Sequence, residues 1–339
     1  MSRLPAMIHW GWREDHPFRF LLALVLGACL GIVAMIVGAA PAPAKIVSTD
    51  GGSDAAAFWT VERMRRARPL DVKVDGAAAI TQVGPAAEPG RPRLVPPLGP
   101  ATASASSAPV TVADPTASTS RTNGAIFIET PFGLGRCSGT AVNAANFSVV
   151  FTAAHCIHTG GSHGFWLARH WAFVPAYRYG QRPFGAFAAK WVDTTAQWRR
   201  SGSENFDVGA AVVERNQRGQ LLGKAVGGTG IGWGLKARQV FNVHGYPAAP
   251  PFDGETQQEC PRTRFLGHDS LSFLFPGPLN LAVDCSVTGG ASGGGWTIRD
   301  GVLNSVTNYG YDDDPETDFG AYFGREVARL YHRAAQVKP

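Results

Sequence analysis

A chain of 339 residues with 45% hydrophobic and 17% charged side chains is long enough for one or two buried cores. Its 41 glycines and 24 prolines, with little long helical periodicity, argue against a helical protein and for an all-β domain joined to unstructured sequence. The formal net charge of +5 is modest, and part of the excess lies in Arg63, Arg65, Arg66 and Arg68, so it speaks for solubility before nucleic-acid binding.

The first 19 residues carry Arg3, Arg13 and Arg19, and from Phe20 to Ala44 there is no charge. A signal-peptide core is about 7–15 apolar residues, whereas a spanning helix needs about 20. Phe20–Ala40 fits the longer class, yet Ala42-Pro43-Ala44 has the small-residue form of a cleavage site. Residues 1–44 are therefore expected to be a cleaved signal peptide or an anchor that crosses the membrane through residues 20–40. On either reading the basic head stays inside and the rest is exported.

Residues 45–120 read as a pro-segment and a linker. Phe58-Trp59-Thr60-Val61-Glu62-Arg63-Met64 can open a helix capped by Thr60. Residues 83–121 are rich in Pro, Ala, Ser and Thr with few aromatics, a composition that cannot bury enough surface to order itself.

From about Arg121 short apolar runs appear, broken by Gly, Asn and Pro. They are Ala125–Glu129, Ser138–Val142, Ser148–Thr152, Trp166–Val174, Val208–Val213, Val240–His244, Leu279–Cys285 and Val302–Val306. Many short strands with frequent turns predict a sandwich or barrel. Apolar residues at helical spacing over Tyr322–Ala335 predict a closing helix. Gly219–Lys224 and Gly227–Gly234 lack the spacing of phosphate and dinucleotide loops and read as turns, so no cofactor is expected.

Cys29 lies in the apolar run, which leaves Cys137, Cys156, Cys260 and Cys285. Four cysteines beyond an export segment fit disulfides in an oxidising compartment, with three possible pairings. The absence of C-x-x-C argues against a zinc site, and no metal is expected.

Three features carry chemistry. Thr152-Ala153-Ala154-His155-Cys156 follows an apolar run, Asp207 directly precedes another, and Ser292 sits in Thr288-Gly289-Gly290-Ala291-Ser292-Gly293-Gly294-Gly295. A serine hydroxyl needs a base beside it and N–H donors for the oxyanion it creates, and glycines let a backbone aim such donors at one point. Asp193 is the rival aspartate, but no comparable apolar strand follows it. His158, His163, His170, His244 and His268 have no partner that the sequence identifies.

With these motifs the chain resembles the trypsin-like, chymotrypsin-fold serine peptidases, most closely their secreted bacterial members. Residues 152–156 are similar to the histidine motif, Cys137-Ser138-Gly139-Thr140 to the strand before it, Asp207 to the aspartate motif, and Gly290–Gly294 to the serine motif. The resemblance covers residues 121–339. It implies two six-stranded Greek-key β-barrels with the active site between them and a C-terminal helix. It implies Ser292 as nucleophile, His155 as general base and acid, and Asp207 as the group that orients the imidazole. The backbone N–H groups of Gly290 and Ser292 would form the oxyanion hole. It also implies a Cys137–Cys156 disulfide, which leaves Cys260 and Cys285 for each other.

Ala291 stands where trypsin has an aspartate before its serine, so no N-terminal insertion switch is expected. By position, Ser286, Val287, Thr288, Ser305, Val306 and Thr307 would line the primary pocket. None of them is charged, and Thr307 would narrow the pocket, which implies a small or medium uncharged side chain in the substrate. The expected protein is a monomeric, exported or membrane-tethered serine endopeptidase acting on peptides or proteins, with no nucleic-acid partner. The alternative is a catalytically silent peptide-binding module on the same scaffold.

Overall fold

The computed structural model describes residues 45–46, 52–71, 80–81, 91–98, 109–118 and 120–339. The apolar run at 20–40 and about half of the expected linker lie outside them. No helix among the described residues is long and apolar enough to cross a membrane.

Six strands form the first barrel: β1 (Asn123–Thr130), β2 (Gly133–Val142), β3 (Val149–Thr152), β4 (Arg169–Pro175), β5 (Phe187–Thr194) and β6 (Gly209–Val213). Antiparallel pairing runs β1-β2-β3-β6-β5-β4 and returns to β1, so the sheet closes. The second barrel contains β7 (Val240–Gly245), β8 (Gln258–Asp269), β9 (Leu281–Asp284), β10 (Gly295–Ile298), β11 (Val302–Tyr311) and β12 (Asp314–Gly320). It closes as β7-β8-β9-β12-β11-β10 and back to β7. Closure leaves no open sheet edge in either ring.

Inward side chains fill each ring. Ile126, Val150, Trp171, Phe173, Phe187 and Val213 pack inside the first, and Phe241, Val243, Leu281, Val283 and Trp296 inside the second. A further apolar cluster, including Phe151, Trp233, Leu303, Phe323 and Leu330, spans both barrels and the C-terminal helix. That helix runs Arg325–Gln336 and buries Val327, Leu330, Tyr331 and Ala334. It starts three residues later than its apolar spacing predicts, because Tyr322 and Phe323 are buried in the chain leaving β12.

Four barrel strands carry no clear sequence signal. β8 places Arg262 and Arg264 outward, and β12 opens on Asp314-Pro315-Glu316, so polar residues mask their alternation. β5 contains Lys190 and Asp193, and β10 is cut from the glycine loop. Parts of the expected linker are ordered: Arg93–Val95 pairs with Gly230–Trp233, and Val110–Thr111 pairs with β8. Backbone hydrogen bonds to existing strands supply what their side chains cannot bury.

Disulfides join Cys137 to Cys156 and Cys260 to Cys285, with sequence separations of 19 and 25. The first staples β2 to the turn after β3, and the second ties β8 to the end of β9. Replacing Cys260 and Cys285 together by alanine is expected to cost about 2–5 kcal/mol, read as a lower denaturation midpoint. An unchanged midpoint would show that this link adds nothing to the fold.

Candidate active site

Strand register brings His155 and Asp207 together. Antiparallel pairing of β3 with β6 sets Thr152 opposite Gly209. His155 lies three residues beyond Thr152 in a 3₁₀ turn, Ala154–Cys156. Asp207 lies two residues before Gly209, at the end of the 3₁₀ turn Glu204–Phe206. Both therefore emerge at the same end of one strand pair. His155 Nδ1 is 2.7 Å from Asp207 Oδ2, and the His155 backbone N–H donates to Asp207 Oδ1 at 2.8 Å. Burial works against the imidazolium, but the Asp207 carboxylate, with Asp71 and the Leu70 carbonyl, outweighs it and holds the ring above its ordinary value.

Ser292 comes from the second barrel, in the loop between β9 and β10. Its carbonyl accepts from the Ser138 N–H at 2.8 Å, and the Cys156 sulfur lies 3.7 Å from the same oxygen. The serine is thus held beside the residue that follows His155. The loop needs its glycines. Gly290 and Gly293 have φ of 94° and 80°. A Cβ on Gly293 would lie 2.0 Å from Thr152 Oγ1. Ser138 secures the loop again, because its hydroxyl donates to the Gly290 carbonyl and accepts from the Tyr246 N–H, both at 2.8 Å.

The residues expected to line the pocket fall into two groups. Thr288 donates to the Ala249 carbonyl at 2.8 Å, and Val287 packs against the second core, while Ser286 is half-buried. Ser305, Val306 and Thr307 are buried on β11. The Thr307 hydroxyl accepts from Trp296 Nε1 at 2.9 Å and donates to Asp318 Oδ2 at 2.7 Å, so it is turned into the barrel. Asp318 is a neighbour that sequence reading missed, since nothing in Thr317-Asp318-Phe319 marks it as buried. Burial pushes its carboxyl up to about 8 against the hydrogen bonds it accepts. At neutral pH this carboxyl is mostly protonated.

Asp193 has a different task. It is buried on β5 against the guanidinium of Arg199 and, at 2.7 Å, that of Arg333 on the C-terminal helix. It fastens the helix to the first barrel. Among the remaining histidines, His170 pairs with Glu129 at 2.7 Å. Burial and the nearby Arg199 lower His158 to about 4. Cys137, His155 and Cys156 lie close enough to suggest metal ligands, but the two sulfurs are joined to each other, so they offer no thiolate pair.

Glu204, three residues before Asp207, was not a candidate from sequence. It is buried, its Oε2 has no hydrogen-bond partner among the described residues, and burial together with Asp207 pushes its carboxyl well above the usual range.

One further segment lies in the site. Asp71 Oδ1 accepts the Gly290 N–H at 3.0 Å, and the Leu70 N–H donates to the Arg136 carbonyl at 3.1 Å. His155 Nε2 is buried without a hydrogen-bond partner among the described residues, so it is not bonded to the Ser292 hydroxyl here.

Among solved structures, the chain is similar to protease Anisep from Arthrobacter nicotinovorans. Identity is 34%, the TM-score is 0.58, and the match covers 64% of this chain and 96% of that one. It is similar as well to the thermostable serine protease AL20 from an extremophilic microorganism, with 33% identity, a TM-score of 0.58 and coverage of 64% and 98%. A Glu endopeptidase in complex with MPD, at 16% identity, TM-score 0.52 and coverage of 68% and 97%, shares the fold. No family model matches the chain, and no curated relative matches it.

Two outcomes test this geometry. Ser138→Ala leaves the Tyr246 N–H and one acceptor of the glycine loop without a buried partner, and is expected to cost about 1–3 kcal/mol in denaturant unfolding. A group whose folded pKa is raised loses stability as pH climbs from its unfolded value toward its folded one. Glu204→Gln should therefore match wild type near pH 4 and become the more stable protein as pH rises toward 8. Parallel stability curves over that range would contradict the buried neutral acid.

Proposed function

Because the chain belongs to the trypsin-like, chymotrypsin-fold serine peptidases, we propose that it is an exported serine endopeptidase acting through Ser292, His155 and Asp207. The observation that carries this reading is the buried two-point hold of Asp207 on His155, set against the loop that presents Ser292. Ser292 Oγ attacks the scissile carbonyl, and His155 Nε2 takes its proton. The oxyanion forms against the N–H groups of Gly290 and Ser292. The amine leaves with the proton from His155, and water then hydrolyses the acyl-enzyme by the same path. Asp207 keeps the proton on Nδ1, so that Nε2 is the basic nitrogen, and stabilises the imidazolium.

The substrates are peptides or proteins, and the half-buried, uncharged Ser286, Val287 and Thr288 favour a small or medium uncharged side chain next to the cleaved bond. The two disulfides support an extracellular location. Residues 1–44 direct export, either as a removed signal or as a retained anchor, residues 45–120 are a pro-segment and linker, and residues 121–339 are the peptidase domain. A monomer suffices, since all three groups come from one chain.

The competing reading, a silent peptide-binding module, is favoured by the unpartnered His155 Nε2. Occupation of the cleft by residues 70 and 71 accounts for that nitrogen equally well.

Prolonged treatment of the full chain with a fluorophosphonate should leave one adduct, mapped by mass spectrometry to Ser292 and absent from Ser292→Ala. An adduct elsewhere, or one that survives the substitution, would overturn the assignment. Asp207→Asn should lower peptide turnover on the order of 10⁴-fold while leaving the fold intact.

A further inference from the structure

The segment from residue 52 to residue 71 is built onto the domain, yet the proposed chemistry uses none of it. Helices Gly52–Phe58 and Val61–Arg66 flank Trp59, and Thr60 caps the second, its hydroxyl accepting the Arg63 N–H at 3.2 Å. Trp59 and Met64 are fully buried in a cluster with Phe127, Tyr177 and Tyr246. The Arg182 guanidinium donates to the Ala56 and Trp59 carbonyls at 3.3 and 3.1 Å. A segment with this much buried apolar surface is a docked element, in contrast to a passing linker.

Beyond the helices the chain enters the cleft. Arg68 and Pro69 pair in parallel with Gly135 and Arg136 on β2. Leu70 packs against the first core, and a Cβ on Gly135 would lie 2.7 Å from its side chain. Asp71 then presents its carboxylate to the Gly290 N–H. The fit is close enough that a Cβ on Gly289 would lie 1.8 Å from Asp71 Oδ2. The bare glycine leaves room for that oxygen.

The Gly290 N–H is the donor that the mechanism assigns to the oxyanion. A carboxylate oxygen carries the same charge as that oxyanion but belongs to a side chain, with no peptide bond to break. The Gly290 N–H goes to that carboxylate and not to a backbone carbonyl of the arm. The arm therefore fills the site without offering a scissile carbonyl to the donors that would activate it.

We propose that residues 52–71 form an inhibitory arm that keeps the peptidase latent, with the Asp71 carboxylate plugging the oxyanion hole. This rests on the peptidase reading above. The helices hold the arm down and Asp71 does the blocking. Inhibition of this kind replaces the insertion switch that Ala291 rules out, since here the negative charge sits in the arm and withdraws to activate the enzyme.

Asp71 is exposed, so its substitution does not threaten the fold. In the full chain, Asp71→Ala should raise the rate of fluorophosphonate labelling at Ser292 by about ten- to a hundred-fold, the weight of one charge-assisted hydrogen bond. Asp71→Asn should give a smaller rise, because a neutral amide oxygen is a weaker guest. In parallel, amide exchange at Gly290 should quicken when Asp71→Ala is placed in a Ser292→Ala background, where no chemistry takes place. Equal labelling of wild type and Asp71→Ala, or a Gly290 amide indifferent to Asp71, would overturn the arm while leaving the peptidase reading in place. Faster Gly290 exchange with no labelling of any variant would instead sink the peptidase reading, and latency with it.

Discussion

The contact on which the rest depends is the pair of bonds that Ser138 makes across the two barrels. Its backbone N–H holds the Ser292 carbonyl and its hydroxyl holds the Gly290 carbonyl. The imidazole and its aspartate belong to the first barrel, while the serine belongs to the second. Two closed barrels sharing only an apolar seam could settle in several relative positions, because hydrophobic contact is not directional. Directional bonds from β2 to the glycine loop select one of them. Thr152 Oγ1, which donates to the Ser138 carbonyl at 2.8 Å, ties the strand that carries His155 into the same network.

Much of this was legible before any coordinates. The order His155, Asp207, Ser292, each beside an apolar run or within a glycine loop, was visible because such loops need residue types that chance rarely supplies together. Strands with one clean apolar face were visible too. What escaped was decided by tertiary context. Gln258–Asp269 reads as polar because its outer face carries arginines, and only ring closure shows that its other face is core. Glu204 and Asp318 look like ordinary surface acids, and their burial follows from turns and registers that no local pattern encodes. The arm illustrates both sides. Its helix and Thr60 cap could be read locally, whereas the seat of Asp71 on Gly290 joins residues 219 positions apart (290−71).

The buried acids show how one chemical group takes different states within a small volume. Asp193 stays paired with two guanidinium groups, so its charge is compensated and serves as a fastening. Asp207 keeps company with a backbone N–H and an imidazole. Asp318, with hydrogen bonds but no cation among the described residues, is raised by its surroundings to about 8. Glu204 is raised further than the usual range by burial and by Asp207 itself. A second full negative charge so close to Asp207 would compete for the imidazole, and desolvation prevents it.

Covalent attachment gives the arm a property that no separate inhibitor has. A guest on the same chain faces its site at an effective concentration set by the length and stiffness of the connection, whatever the number of molecules in solution. Occupancy is then insensitive to dilution. Once the connection is severed, the same contacts must hold a free peptide at its bulk concentration. The fold thereby turns a local interaction into a one-way event, with the commitment made by chain continuity.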